Sequence, residues 1–500
     1  MRQQGRAQGA ASARPAGVAR AVGSVRALTA RRAGTGSDAA SAAPSTIETA
    51  TAPVLLALFL VSLLIPARIY VGELLFSPVR IFLVLAFVPL FFRLVSGKAG
   101  RIQPVDILIG VYCLWIALSL FIAHGIERFA FIGITIVELF GGYLVGRTMV
   151  LGQPDYRAFF RYFFMALLFV LPFVLVEQMT RRLLINEIVG TVFSSFPYVD
   201  YEQRMGLNRI QTVFEHPILS GLFWSVGIGN LYFLNRDRLS RALPQAGLAG
   251  FTTAMALSSG PFLVAMLQFG MIAWEKITRA RWKLLLGLGI LAYIIVDLLS
   301  NRTPFEVLIS YGTFNQGTAY NRVHIWNYGM QNVMSSPIFG IGLNDWFRPW
   351  WMHSGSFDNF WLLQAMRYGI PAFAFLALGV AASIWSITRA QGLTAGEKQC
   401  RTGYMVALTG LIFALATVHV WGPTSVFFMF YIGAGVWIAQ AGSRAVSEDE
   451  APASGPRRGP ARPRGRETAA MPEREGAVAP ESSGSDRFRP ARRPPPTRTR

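Results

Sequence analysis

The chain has 500 residues, 52% of them hydrophobic, 13% aromatic and only 15% charged, which is too little polar surface for a soluble enzyme of this length and marks a polytopic membrane protein. The formal charge of +20 invites a nucleic-acid reading, but residues 1–50 and 442–500 carry 20 Arg, no Lys and 10 acids, so half of that charge sits in two tails. No nucleic-acid partner is expected.

Residues 1–50 are rich in Ala, Gly and Ser and read as a disordered basic tail. No apolar stretch precedes Pro53, so a cleavable secretory signal is not expected. The Arg-rich start resembles an organellar transit peptide in composition, yet the opposite end has the same bias. Residues 51–441 then hold about twelve apolar segments near the ~20-residue length of a bilayer crossing. They are 52–71, 79–96, 104–123, 129–149, 158–178, 214–234, 243–258, 260–275, 282–300, 367–388, 402–421 and 424–441. Only Ser259, Gly260 and Pro261 divide the seventh from the eighth. The expected fold is all-α, a polytopic transmembrane helix bundle, followed by a second disordered tail rich in Arg and Pro over 442–500.

Loop charges orient it, because Lys and Arg are retained on the cytoplasmic side. With the N-terminus inside, the short inner loops carry Arg93, Lys98 and Arg101, then Arg147, Arg157 and Arg161, then Arg236, Arg238 and Arg241. Lys276, Arg279, Arg281 and Lys283 follow, then Arg389, Lys398 and Arg401. The expectation is a multi-pass membrane protein with both termini cytoplasmic. Two long connections, about 180–213 and 301–358, then fall on the outer face, and loops of that length usually have a task. Within the second, a helix is predicted from about Thr318 or Tyr320 to Met334, with Val323, Trp326, Met330 and Val333 on one apolar face. Pro337 ends it, and Gly340 and Gly342 permit a turn.

Charged groups on the outer side need a reason other than orientation, and Arg204, Arg209, Arg302, Arg322 and Arg348 all lie there. Guanidinium is a planar five-donor fork suited to phosphate; the competing reading is loop ion pairs with Asp200, Glu202 or Glu306. A proton acceptor for a hydroxyl has two candidates, Asp358 and His353, with Asp358 also suited to capping the helix that begins near Phe360. His216, before Pro217, stands where it can shape a site entrance; His124 and His419 read as structural. Trp346, Trp350 and Trp351 offer flat faces for sugar rings or for anchoring at the interface. Cys113 lies in an apolar run and Cys400 in a basic loop, so neither a disulfide nor a metal site is suggested. No cofactor motif appears, and Gly340-Ile341-Gly342 reads as a turn.

Taken in order, Arg209, Phe214-Glu215-His216-Pro217, Ser258-Ser259-Gly260, Arg322 with Trp326, Pro337 to Gly342, and Asp358-Asn359 leading to Tyr368-Gly369-Ile370-Pro371 resemble the bacterial O-antigen ligase / O-antigen polymerase superfamily of polytopic glycosyltransferases. The resemblance covers 204–382 in motif and 52–441 in topology. It implies joining of a glycan carried on undecaprenyl pyrophosphate to an acceptor, another glycan or a lipid A core, at the periplasmic face. It implies further that Arg209, Arg322 and Arg204 hold the pyrophosphate, that Asp358 or His353 activates the acceptor hydroxyl, and that His216, Asn359, Trp326 and Trp350 shape the site. Asp358-Asn359 stands where the family often has His-Asn, and Ser258-Ser259-Gly260 where many members have Ser-Arg-Gly. The first departure favours an exopolysaccharide or O-antigen polymerase over a lipopolysaccharide ligase. Polysaccharide-export proteins are conceivable partners. The alternatives from other classes are a transporter or flippase of lipid-linked saccharides, for which Glu138 and Asp297 would be the mid-span charges of interest, and an export-complex scaffold.

Overall fold

A computed structural model describes residues 46–72, 74–196, 199–301, 303–304, 306–307, 316–352 and 355–442. The expected disordered tails lie outside the described residues, apart from residues 46–50 and Gly442, and so do Arg302 and His353. The described chain is helical apart from one hairpin. Its elements are α1 (Thr46–Leu64), β1 (Ile69–Val71), β2 (Leu74–Phe76), α2 (Pro78–Val95), α3 (Pro104–His124), α4 (Phe129–Met149), α5 (Gln153–Thr180), α6 (Leu184–Gly190) and α7 (Pro217–Leu234). There follow α8 (Leu239–Met255), α9 (Ser259–Thr278), α10 (Trp282–Leu299), α11 (Gln316–Ser335), α12 (Phe360–Tyr368), α13 (Ile370–Arg389), α14 (Ala395–Leu415) and α15 (Gly422–Gly433).

Each of the expected apolar segments contains a helix, and eight helices among the described residues are long and apolar enough to cross a membrane. The first segment is cut short. Its helix ends at Leu64, and Ile69, Tyr70 and Val71 pair antiparallel with Phe76, Leu75 and Leu74 instead. The seventh and eighth segments are separate helices, joined by a sharp turn in which Leu257 takes a φ of 44°. Helix starts follow local rules. Pro78, Pro104 and Pro217 sit in first turns, where a missing N–H costs nothing, and Thr394 with Glu397 forms a capping box on α14.

Helix α7 is buried on every side, as a helix apolar all round must be. Polar side chains along and beside it link it to other helices. Gln268 of α9 accepts from Gly229 N at 3.0 Å and donates to Ser225 O at 2.9 Å. Asn230 accepts from Tyr156 of α5 at 2.5 Å and donates to Tyr431 of α15 at 2.9 Å. Buried away from solvent, such bonds fix which helices adjoin. Glu138, a mid-span acid, is held by Arg80 at 2.7 Å.

Cross-links also sort the loops between the two ends of the bundle. At one end Arg147 binds Asp106 at 2.8 Å and donates to the carbonyls of Ala99 and Arg101, while Gln440 also donates to Arg101 O. Arg157 reaches Leu234 O and Gln399, and Gln399 reaches Asp237, so the loops around residues 100, 150, 236 and 399 share that end. These are the basic loops. At the other end Arg68 pairs with Glu215, Trp421 donates to Glu215 at 3.0 Å, and His124 accepts from Leu343 N at 2.7 Å.

At this second end residues 336–352 and 355–370 fold into a compact cap. Ile341 N and Gly342 N donate to the carbonyls of Met366 and Arg367, and Ile370 N donates to Pro337 O, each at 2.8 to 2.9 Å. Gly340 and Gly369 lie where these backbones cross, with φ of 70° and 86°; a Cβ on either would overlap a carbonyl of the opposing strand of chain. Ile325, Val333, Trp346, Met352, Phe357 and Leu362 form a small core of their own beneath it. The buried stripe of α11 is therefore rotated from the predicted one: Arg322, Ile325, Gly329, Asn332 and Val333 face inward, while Val323, Trp326 and Met330 lie at its edge, the last two exposed. Gly329 sets this rotation by letting the Phe357 and Leu362 rings and methyls approach its backbone.

Candidate functional site

Arg204, Arg209 and Arg322 come from connections far apart in sequence, and the second end of the bundle brings them to one place. The carboxylate of Glu177, at the end of α5, accepts from Gln211 N at 2.9 Å and Thr212 N at 3.0 Å and pins the chain just after Arg209. Thr212 pays for this with a φ of 52°, a region β-branched residues rarely enter, and such strain tends to collect at functional sites. Ile210 N donates to Met255 O, and Arg204 Nη1 donates to Leu257 O at 2.9 Å, so both arginine segments are tied to the α8–α9 turn. Arg204 itself opens a tight hairpin with Leu207, whose corner residues Met205 and Gly206 have φ of 53° and 73°.

Arg322, on the first half of α11, is only 5% exposed and reaches the same turn, with Nη1 donating to Ser259 Oγ at 3.3 Å. Ser258, the N-cap of α9, adjoins the Ser259 hydroxyl that Arg322 reaches, and its side chain makes no capping bond. The Nε atoms of Arg209 and Arg322 are both buried without a hydrogen-bond partner. Among the described residues none of Arg204, Arg209 and Arg322 has a carboxylate at ion-pair distance. Arg348, by contrast, pairs with Asp345 at 2.6 Å and has the ordinary explanation.

The cluster is electrostatically tense. Burial, and then the neighbouring Arg204, push the Arg209 guanidinium down to about 10. Burial also lowers that of Arg322, where Asp358 pulls the other way and Arg204 adds to the depression. Arg204 is lowered by burial too. Asp358 thus acts on both Arg209 and Arg322, while Glu202 acts on Arg204 and Arg209. It is half-buried and accepts from Ser356 Oγ at 2.9 Å. It does not cap α12. That task falls to Asn359, whose Oδ1 accepts from Leu362 N at 3.0 Å, so the capping role the sequence offered to Asp358 belongs to its neighbour.

His216 caps α7: its Nδ1 accepts from Ile218 N at 3.0 Å, which leaves the proton on Nε2 as a donor. Burial, Arg209 and Arg204 lower it to about 4, so it is neutral near pH 7. Tyr201 and Trp421 hold the ring edge-on from two sides at 4.8 and 5.8 Å. Tyr201 also lies beneath Arg209, whose guanidinium is 5.3 Å from its ring centre. Tyr201, Ser259 and Glu215 had no distinguishing signal of their own in the sequence, beyond the place of the last two within quoted motifs.

The aromatic candidates separate. Trp346 is buried in the small core and donates to Gly355 O, so its face is not open to a sugar. Trp350 is 86% exposed, Trp351 is packed against His324 and Tyr328, and Trp326 lies exposed one turn along α11 from Arg322. His353 lies outside the described residues. His124 and His419 have structural surroundings: the first holds Leu343, the second stacks on Phe360 and Trp421. Among the described residues no group of three His, Cys, Asp or Glu is placed to hold a metal. The arrangement suits a doubly charged oxyanion presented to buried guanidinium groups beside a carboxylate. No family model matches the chain, and no curated protein matches it.

Proposed function

We propose that the protein is an integral membrane glycosyltransferase that joins a glycan carried on a lipid pyrophosphate to an acceptor sugar, with the chain crossing the bilayer twelve times and this site on the outer face. The observation that carries the reading is the convergence of Arg204, Arg209 and Arg322, without carboxylate partners at ion-pair distance among the described residues, next to Asp358 and the start of α9. A pyrophosphate meets that set: it supplies the negative charge the three cations lack and acceptors for the orphaned Nε groups. The acceptor hydroxyl attacks the anomeric carbon of the donor sugar, and its proton passes to the Asp358 carboxylate. The bond from that carbon to the pyrophosphate oxygen breaks, and the electron pair leaves with the pyrophosphate, where fixed guanidinium groups stabilise it. Neutral His216 contributes a hydrogen-bond donor, and exposed Trp326 and Trp350 offer stacking faces. The donor is read as undecaprenyl-pyrophosphate-linked glycan, and a polymerase acting on O-antigen or exopolysaccharide repeats is preferred to a ligase.

The test is made in cells lacking the gene. Single repeat units on lipid carrier should accumulate, and wild-type protein should restore long polymer, whereas Asp358→Asn and Arg209→Gln at normal membrane levels should not. Normal polymer from both variants would end the proposal, and accumulation of carrier-linked glycan inside the cell would favour a transporter. Orientation is read separately with Ser356→Cys and an impermeant maleimide. Both native cysteines are buried, so labelling from outside reports position 356 alone, and labelling only after lysis would overturn the topology.

A further inference from the structure

At the basic end of the bundle, away from the arginine cluster, a cavity of about 1610 Å³ opens between α9, α10 and α14. Its walls are apolar, with Met266, Leu285 and Met405 among them, and Gly270 and Gly289 leave open space on facing sides. No residue of α10 is buried, and Trp282, at its start, packs against the core. The α10 lining runs from Trp282 to Tyr293. At 1.5 Å per residue that is about 16 Å, against about 15 Å for half of a ~30 Å hydrocarbon core. The groove is one leaflet deep.

Its mouth is cationic. Arg281, Lys283 and Arg401 line it and no acid does. Among the described residues none of the three has a carboxylate at ion-pair distance; the nearby Glu275 is engaged by Arg236 at 3.1 Å. The α9–α10 turn that presents the first two is stiff: Arg279 and Ala280 have φ of 54° and 62°, and Trp274 Nε1 donates to Arg281 O. Arg401 is steadied by donating to Ala390 O at 3.1 Å. Orientation bias accounts for basic loops in general, but not for the meeting of three cations, two at the start of α10 and one on α14, around one apolar slot.

We propose that this groove is a binding site for one anionic phospholipid of the leaflet at the basic end, its phosphate held by Arg281, Lys283 and Arg401 and its acyl chains lying along α10. A second copy of the chain would bury three like charges at the mouth. A polyprenyl carrier would outrun a slot one leaflet deep.

Native mass spectrometry of the full-length protein, released from mixed micelles containing equal phosphatidylglycerol and phosphatidylethanolamine, tests this. Wild type should retain phosphatidylglycerol with roughly tenfold preference. The triple variant Arg281→Gln, Lys283→Gln, Arg401→Gln should lose the preference, and Gly289→Trp, whose side chain enters open space rather than protein, should lose bound lipid of both kinds. No headgroup preference in wild type, an unchanged preference in the triple variant, or a lipid-free dimer would overturn the assignment. All of these residues lie apart from Arg204, Arg209, Arg322 and Asp358, so either result leaves the transferase reading to its own test.

Discussion

Arg322 is the residue at which function and stability should pull in opposite directions. It is 5% exposed, makes one hydrogen bond to Ser259 among the described residues, and has a buried Nε with no partner. Burial outweighs the attraction of Asp358 in lowering its guanidinium, so the charged form is worse off in the fold than in water. Replacing such a group by an apolar side chain of similar volume is typically neutral or stabilising by ~1–4 kcal/mol. Arg322→Met should therefore raise the thermal midpoint of the ligand-free protein in detergent by roughly 2–8 °C, at about 2 °C per kcal/mol for a chain this long. The same variant should fail to lengthen glycan in the deletion strain. Added pyrophosphate sharpens the contrast: at about 100 times its dissociation constant it should stabilise wild type by about 2.7 kcal/mol and leave Arg322→Met nearly unmoved. A midpoint that falls by several degrees, or polymer made normally by the variant, would show that Arg322 is a structural cation and would refute the reasoning.

The His216 imidazole sits at about 4 in the fold against 6.5 unfolded. With a depressed folded value, its contribution is complete above pH 6.5 and is lost as pH falls toward 4, up to about 3 kcal/mol and less where solvent still reaches the ring. His216→Asn keeps a capping acceptor and removes the titration. Its thermal midpoint should fall less than that of wild type between pH 7 and 4, and parallel curves would count against a neutral buried ring. Asn359→Ala should cost about 1 kcal/mol through loss of the α12 cap, while Asn359→Ser should recover most of it. Equal midpoints for the two variants would return the capping role to another residue.

The bundle was legible because crossing a bilayer imposes a length on apolar runs, and even the break between α8 and α9 was announced by Ser259-Gly260-Pro261. The hairpin at 69–76 was not, since Ile69, Tyr70 and Val71 continue an apolar run equally well as helix or strand. The face of α11 was read by hydrophobic period, which passes over Arg322 and Gly329, the charge and the glycine that the packing turns inward. Asp358 and Asn359 both suit a helix cap, and only the observed bond to Leu362 N assigns it.

For the site, the residues themselves offered sidedness, and only the resemblance grouped Arg204, Arg209 and Arg322. Arg204 and Arg209 are separated from Arg322 by more than a hundred residues, and no spacing rule joins them. What joins them is a single turn: Leu257 O takes Arg204, Met255 O takes Ile210 N, and Ser259 Oγ takes Arg322. Three cations held together by hydrogen bonds to neutral atoms repel one another, and burial adds several kcal/mol of desolvation per ion. A fold selected for stability alone would sooner have put Met or Leu at position 322. The arrangement makes physical sense once an anion with two charges completes it, and for that reason the stabilisation of wild type by pyrophosphate, set against its absence in Arg322→Met, discriminates more sharply than loss of polymer alone.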